Sequence, residues 1–346
     1  MKPADLFPQT DCADIKTIGI PRALLYYRYR VLWTTFFEQI GREVVVSGAT
    51  DRDILFAGES ASVDECCLAS KLYLGHLESL IGSCDAVFIP SIVGVGRREA
   101  FCTKFQALPD LVANTFYERN IRIVSMLIDT IEARTDEKTA FVGLGQRFGV
   151  SAADAKRAYH VATKAQQRSE MSAARAQERV LQGLKEQLNH GVSDVEQGND
   201  ALTILVVAHP YVAHDPFIGG GVSDALESLG ATVLFADETE HARTLKASFG
   251  FSETLPWVIN RELVGSVLLL HEQVDGIVLM SAFPCGPDSM TNDAIARCVQ
   301  GKPILTLTVD AQSGTAGLET RIDSFIDILR YQQGGGYLHG RLQFLP

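Results

Sequence analysis

Cysteines at three places in the chain could supply thiolate ligands for a metal. Cys66 and Cys67 lie in the segment SVDECCLASKLYLGH, Cys102 lies in GVGRREAFC, and Cys285 lies in FPCGPD. Thiolate is the form of cysteine that binds metals, and it is favoured where positive charge or free backbone amides lie nearby. A metal site therefore requires that these places meet in space.

The adjacent cysteines are predicted to lie in the first turn of a helix. Ser62 followed by Glu65 has the spacing of a capping box, and apolar residues at helical spacing follow it as far as Ile81. We therefore predict a helix over 63–81, with an irregular segment before it. Free amides and the helix dipole favour a negative charge at such a helix start, and so a thiolate.

Strand and helix patterns alternate twice along the chain. The first alternation occupies 14–131, with its third and fourth strands predicted at 85–93 and 121–128, and the second occupies 201–346. Residues 132–200 have no strand signal and predict a long helix over 152–190. The pattern predicts an α/β fold of two doubly wound, Rossmann-like parallel-sheet domains, with a helical bridge and linker between them.

In open parallel sheets, ligands bind beyond the carboxyl ends of the strands. Several residues able to do chemistry follow predicted strands: Arg22, Arg97, Arg98, Cys102, His209, Tyr211, His214 and Cys285. The histidines and the tyrosine are candidate proton donors, although a structural role is equally open for each histidine. The other cysteines, at positions 12, 84 and 298, are predicted to be small buried hydrophobic side chains.

Three thiolates from two domains suit an iron–sulfur cube, which normally takes four ligands. Three protein ligands leave one metal position open, as in reactive rather than structural sites. Zinc is an alternative, because His76, His209 or His214 could supply a nitrogen ligand. The residues alone leave a metal site and buried free thiols equally open.

Composition excludes some classes of partner. The 346-residue chain has a formal net charge of −11, which argues against nucleic acid or an anionic membrane surface as the main partner. Its N-terminus has no apolar signal-peptide region, and its most apolar run, 263–270, is too short to span a bilayer. We therefore predict a cytoplasmic protein, in which the seven cysteines form no disulfide framework.

Several segments in order resemble one family. GIPRALLYYRYRVLWTTFF, VDECCLASKLYLGH, FCTKFQALPDL, HPYVAHDPFI, FPCGPDSM and DAQSGTAGLETRIDSFID are similar to successive blocks of the acyl-CoA dehydratase activase-related proteins. These are relatives of the 2-hydroxyacyl-CoA dehydratase subunits and of double-cubane-cluster proteins. The resemblance covers nearly the whole chain, and the ordered set is far more specific than any single block.

The resemblance implies which residues bind the metal. The family's cluster-binding cysteines fall on Cys67, Cys102 and Cys285, which would hold a 4Fe-4S cluster or part of a double cubane. Lys71 and Arg22 would support the cluster's negative charge. Arg97 and Arg98 are candidates for phosphate contacts, although an exposed, solubilising role is the more common one for such arginines. Alanine at position 69 and threonine at position 103 replace family prolines, which changes backbone rigidity but removes no sulfur.

The resemblance also implies a reaction class and partners. The chain would accept low-potential electrons from a separate ATP-hydrolysing activase and reduce or dehydrate a small molecule in an oxygen-sensitive, anaerobic reaction. A CoA thioester is one candidate substrate, and a homodimer is one candidate assembly, because relatives pair their cluster-bearing subunits. The alternative hypothesis is a non-catalytic, two-domain ligand-binding or scaffold protein whose cysteines are structural or bind zinc.

Overall fold

The computed structural model describes residues 11–96, 98–189, 202–312 and 315–333. The strands in chain order are β1 (Thr17–Ile20), β2 (Glu43–Val46), β3 (Ala86–Phe88), β4 (Ser91–Gly96), β5 (Glu99–Ala100), β6 (Ile123–Val124), β7 (Leu127–Asp129), β8 (Thr203–Val207), β9 (Thr232–Phe235), β10 (Gly276–Ala282) and β11 (Ile304–Val309). The α-helices are α1 (Tyr26–Gln39), α2 (Arg52–Ser60), α3 (Leu68–Leu80), α4 (Thr103–Thr115), α5 (Glu137–Arg147), α6 (Ala152–Asn189), α7 (Pro210–Ala213), α8 (Gly221–Ser228), α9 (His241–Ser248), α10 (Val258–Leu270), α11 (Gly286–Cys298) and α12 (Thr315–Gln333).

Each half of the chain contains a four-stranded parallel sheet flanked by helices. The strand order is β2-β1-β3-β6 in the first half and β11-β10-β8-β9 in the second. Every residue of β8 and β10 is buried, as expected for central strands covered on both faces. The prediction of a Rossmann-like α/β fold is confirmed.

Two strands predicted as single in the first half are each divided between two sheets. The segment 85–93 forms β3 and β4, and 121–128 forms β6 and β7. The second member of each pair belongs to a smaller sheet of order β5-β4-β7. Pro90 interrupts the first strand because proline has no N–H for the ladder, and the Ser125 carbonyl in the second accepts from Arg147.

The predicted start of the cysteine helix is wrong. Residues 52–60, expected to be irregular, form α2, whose N-cap Asp51 accepts a hydrogen bond from the Ile54 amide at 2.9 Å. The next helix, α3, begins only at Leu68, so Ser62 and Glu65 do not cap it. The Ser62 hydroxyl instead donates to the Glu59 carbonyl at the end of α2.

The long helix α6 contacts both halves of the molecule. The Gln166 side chain accepts from the Leu32 amide at 3.0 Å, and Gln177 accepts from the Phe235 amide at 2.7 Å. The helix was predicted over 152–190 and is described as far as Asn189, with position 190 outside the described residues. No helix in the ranges given above is long and apolar enough to cross a membrane.

Candidate functional site

Each of the three cysteines predicted as metal ligands is the N-cap residue of a helix. Cys67 precedes α3, Cys102 precedes α4 and Cys285 precedes α11. None of the three side chains caps its own helix by a hydrogen bond to a backbone amide, although the Cys67 sulfur lies 3.2 Å from the Ser70 hydroxyl oxygen. The positive ends of three helix dipoles are therefore directed at these sulfurs and favour negative charge on them.

The three cysteines line one cavity of about 60 Å³ between the two halves of the chain. Backbone hydrogen bonds across the halves hold its walls together. The Leu68 amide donates to the Phe283 carbonyl at 2.8 Å, which joins the start of α3 to the segment before Cys285. Much of the remaining wall is apolar, with Leu24, Phe101, Phe105, Trp257 and Ile259 among its residues.

A lysine from α4 lies beside Cys67. The Lys104 ammonium nitrogen is 3.9 Å from the Cys67 sulfur, and the Ser70 hydroxyl oxygen is 3.2 Å from it. Lys104 also lines the cavity, whereas Lys71, the lysine singled out from the sequence, does not. The positive charge next to Cys67 therefore comes from a different helix than the sequence suggested.

A buried polar cluster flanks Cys285. The His209 Nδ1 atom is 2.9 Å from an Asp288 carboxylate oxygen, and the Asn260 amide donates to the other oxygen at 3.0 Å. Burial raises the pKa of the Cys285 thiol, and the negative charge of Asp288 acts in the same direction. Without a metal, this thiol is held neutral.

Tyr211 lies against the same cluster. Its ring stacks on His209 with centroids 5.0 Å apart and planes 7° apart. Burial raises the pKa of the Tyr211 hydroxyl, and negative charge on Asp288 and on the three cysteines raises it further. The hydroxyl therefore keeps its proton near neutral pH and can serve as a donor.

The spacing of the sulfurs limits what they can bind together. At one place only, metal-binding atoms of three described residues lie within 4.8 Å of one another, and that set is His209, Cys285 and Asp288. The three sulfurs do not form such a set, so at least two of them are more than 4.8 Å apart. Tetrahedral zinc holds two sulfurs about 3.8 Å apart. The three cysteines therefore cannot bind a single zinc ion without moving.

Of the described residues that were predicted for the site, His214 and Arg22 do not line this cavity. His214 lies in a separate cleft of about 890 Å³, where its Nε2 atom is 2.8 Å from an Asp237 oxygen. Burial opposes the charged form of His214, but the hydrogen bond to Asp237 raises its pKa overall. Arg22 makes a backbone contact to Ser47, and Arg97 lies outside the described residues.

Of the cysteines predicted to be buried, one is not. Cys12 is buried and Cys84 is partly buried, but Cys298 is exposed at the end of α11. Cys66, the neighbour of Cys67, is half-buried and is not among the residues that line the cavity.

Sequence reasoning missed three polar residues around the site. Asp288 follows Cys285 by three residues in the first turn of α11, where an acidic side chain is a recognisable helix-start signal. Lys104 stands two residues after Cys102, and this proximity in the sequence is the local signal for it. Asn260 is the third residue of α10, and no local pattern connects it with Cys285.

A directed hydrogen-bond chain links the cysteine helix α3 to the second half. Thr50 donates to Asp215, so its oxygen accepts from His76 Nε2, 2.9 Å away. His76 Nδ1 then accepts from the Ser47 hydroxyl at 3.0 Å, and the Ser47 oxygen accepts from the Arg22 amide at 2.8 Å. The chain requires a neutral His76 with its proton on Nε2.

Stability should fall as the pH drops from about 6.5 to 4, because of His76. Burial, aided by Arg22 and opposed by Asp215 and Asp51, lowers the pKa of His76 from 6.5 to about 4. In this pH window the unfolded chain binds a proton that the folded chain does not. The free energy of unfolding therefore falls by about 3 kcal/mol. Urea unfolding of the wild type and His76→Gln at several pH values checks this.

The His76→Gln variant should lose much of this pH slope, and His160→Gln, which changes an exposed histidine, should keep it. Equal slopes in the wild type and His76→Gln would contradict the assignment.

Comparison with known proteins gives one family match. Residues 17–238 match the family model described as CoA enzyme activase uncharacterised domain, a range that includes Cys67 and Cys102 and ends before Cys285. No curated protein matches the sequence. Among solved structures, the C-terminal domain of glucosamine-fructose-6-phosphate aminotransferase from Francisella tularensis matches with a TM-score of 0.26 and 10% identity, over 96% of this chain and 87% of that chain. A likeness at this level carries no argument about function.

Proposed function

We propose a function from the premise that this chain belongs to the family of the CoA enzyme activase uncharacterised domain. The resemblance to an activase-related family is thereby confirmed. Within it, we propose that Cys67, Cys102 and Cys285 hold an iron–sulfur cluster between the two halves. The chain would receive low-potential electrons and use them to reduce or dehydrate a small molecule.

One observation supports the proposal above the others: three cysteines, each at a helix N-terminus, line one cavity. At least two of their sulfurs lie farther apart than a single zinc ion would hold them, whereas a polynuclear centre spreads its thiolates more widely. Three helix dipoles and the Lys104 ammonium offset the charge of the thiolates. The donor set therefore fits a cluster with three protein ligands.

The residues around the cavity have roles that follow from their contacts. A bound cluster would supply low-potential electron transfer. The largely apolar wall would lower the local dielectric and so strengthen the attraction between Lys104 and the Cys67 sulfur. His209, oriented by Asp288, and Tyr211 hold protons beside the cavity and are the proposed donors to substrate. His214 lies in the other cleft and is no longer assigned this role.

The proposed partner is an ATP-hydrolysing activase that delivers the electrons. The family description associates the chain with CoA enzymes, and a CoA thioester is the proposed substrate. Arg22, Lys71 and Arg97, the residues suggested from the sequence for anion contacts, stay predictions.

Anaerobic reconstitution with iron and sulfide should load about four irons and four acid-labile sulfides per chain. In the triple variant Cys67→Ala, Cys102→Ala, Cys285→Ala, the iron and sulfide content should fall to background, because the variant removes every thiolate of the cavity wall. Iron and sulfide assays and the visible absorption spectrum measure both.

The matched control is Cys66→Ala, which removes the adjacent thiol and should keep the wild-type iron content. The proposal fails if the wild type takes up no iron, or if the triple variant takes up as much as the wild type.

A further inference from the structure

A second set of metal-binding side chains lies at the edge of the cysteine cavity. One ligand atom each from His209, Cys285 and Asp288 lies within 4.8 Å of the other two. His209 and Asp288 are almost completely buried, with side chains 5% and 3% exposed, and Cys285 is half-buried. Nitrogen, thiolate sulfur and carboxylate oxygen are the three donor types that zinc accepts.

We propose that His209, Cys285 and Asp288 bind one divalent ion with the ligand preference of zinc. This site does not depend on the proposed iron–sulfur function. Because both sites need the Cys285 sulfur, zinc at this site and a cluster on the three cysteines exclude each other.

The histidine and the carboxylate are already close to the spacing that zinc requires. His209 Nδ1 and Asp288 Oδ2 are 2.9 Å apart. Two such ligands on tetrahedral zinc, each about 2.0 Å from the ion, lie about 3.3 Å apart. The ion can thus enter between these two atoms if they move apart by about 0.4 Å. The Cys285 sulfur, within 4.8 Å of the ligand atoms of both residues, would then approach the ion.

The surroundings keep Asp288 in place. Its second oxygen accepts from Asn260, whose side chain is also buried, so the carboxylate cannot rotate freely away. Outer hydrogen bonds of this kind orient metal ligands and strengthen binding. His209 and Cys285 line the cavity, so a water molecule there would complete the tetrahedron, as in zinc sites that keep an open position.

Charge and proton balance favour the ion. The imidazole proton on Nδ1 moves to Nε2, and the Cys285 thiol releases its proton to solvent as the zinc–sulfur bond forms. The double positive charge of the ion then meets one thiolate and one carboxylate, so the buried site is neutral overall. A neutral assembly avoids the cost of an unpaired charge in an apolar wall.

Two loading experiments on the same variants test the proposal. Cluster-free protein, kept reduced, is titrated with zinc against a chromophoric chelator, and iron–sulfur reconstitution is run in parallel. We expect one zinc per wild-type chain. His209→Gln and Asp288→Asn should bind zinc at least tenfold more weakly while keeping their iron content, and Cys67→Ala and Cys102→Ala should lose iron but keep zinc.

Cobalt in place of zinc tests the sulfur ligand directly. Cobalt alone should give a sulfur-to-metal absorption band in the near ultraviolet, and Cys285→Ser should lose it. His214→Gln, which changes a histidine paired with a carboxylate in the other cleft, serves as the control and should bind zinc normally.

The proposal is overturned if His209→Gln binds zinc with wild-type affinity, or if Cys67→Ala and Cys102→Ala lose zinc together with iron. Failure of the wild type to take up iron while zinc binds as described would reject the proposed function and leave the zinc site standing.

Discussion

Replacing Glu262 by glutamine is expected to lower the free energy of unfolding by about 3–5 kcal/mol. Glu262 on α10 accepts two hydrogen bonds from Arg28 on α1, at 2.5 and 2.8 Å, and so joins the two halves of the chain. The side chains are only 4% and 10% exposed. The variant leaves a buried guanidinium without the carboxylate that is hydrogen-bonded to it, which is the costly way to break such a pair. Equilibrium urea unfolding at neutral pH measures the loss.

Two controls show whether the loss of stability in Glu262→Gln comes from the unpaired charge of Arg28. Glu78→Gln removes a carboxylate that pairs with Arg119 in a more exposed setting and should cost less than about 1 kcal/mol. The double variant Arg28→Met, Glu262→Leu removes both charges and should be more stable than Glu262→Gln alone. A Glu262→Gln variant within 1 kcal/mol of the wild type would mean that water reaches the pair after the substitution.

The second half of the fold could be predicted closely because its strands are long apolar runs. The apolar runs in TILVVAHPY and GIVLMSAF are typical of buried strands, and β8 and β10 begin at the first residues of these segments. In the first half, pairs of short strands that belong to different sheets follow one another closely along the chain, so the sequence pattern predicts one continuous strand for each pair. Helix α2 was missed because Gly58 weakens its helical signal, and packing against α3 rather than local propensity stabilises it.

The candidate site could be predicted where it depends on chain order and not where it depends on distant elements. Cys102 and Cys285 follow strands in the sequence, so the strand-end rule selects them without coordinates. Lys104 replaces Lys71 beside Cys67 because α4 and α3 meet in space, which no spacing reveals. His214 follows the same strand as His209, but it lies in another cleft, where it is hydrogen-bonded to Asp237.

Replacing Gly75 by alanine is expected to destabilise the protein by about 3 kcal/mol, because α2 and α3 touch through their backbones. A Cβ atom at Gly75 would lie 1.9 Å from the Ile54 carbonyl oxygen, and one at Gly58 would lie 2.0 Å from the Lys71 carbonyl oxygen. Backbone atoms cannot rotate away as a side chain can, so the two helices must separate. Because α3 begins directly after Cys67, the same change should also reduce iron uptake.

The matched control for this prediction is Gly143→Ala in α5. A Cβ atom there meets nothing within 4 Å, so alanine should leave stability unchanged or raise it by up to about 1 kcal/mol through its helix propensity. Urea unfolding and iron assays on both variants separate a steric effect from a general effect of glycine replacement. If Gly75→Ala matches Gly143→Ala in both measurements, α2 can shift without cost and does not fix the position of Cys67.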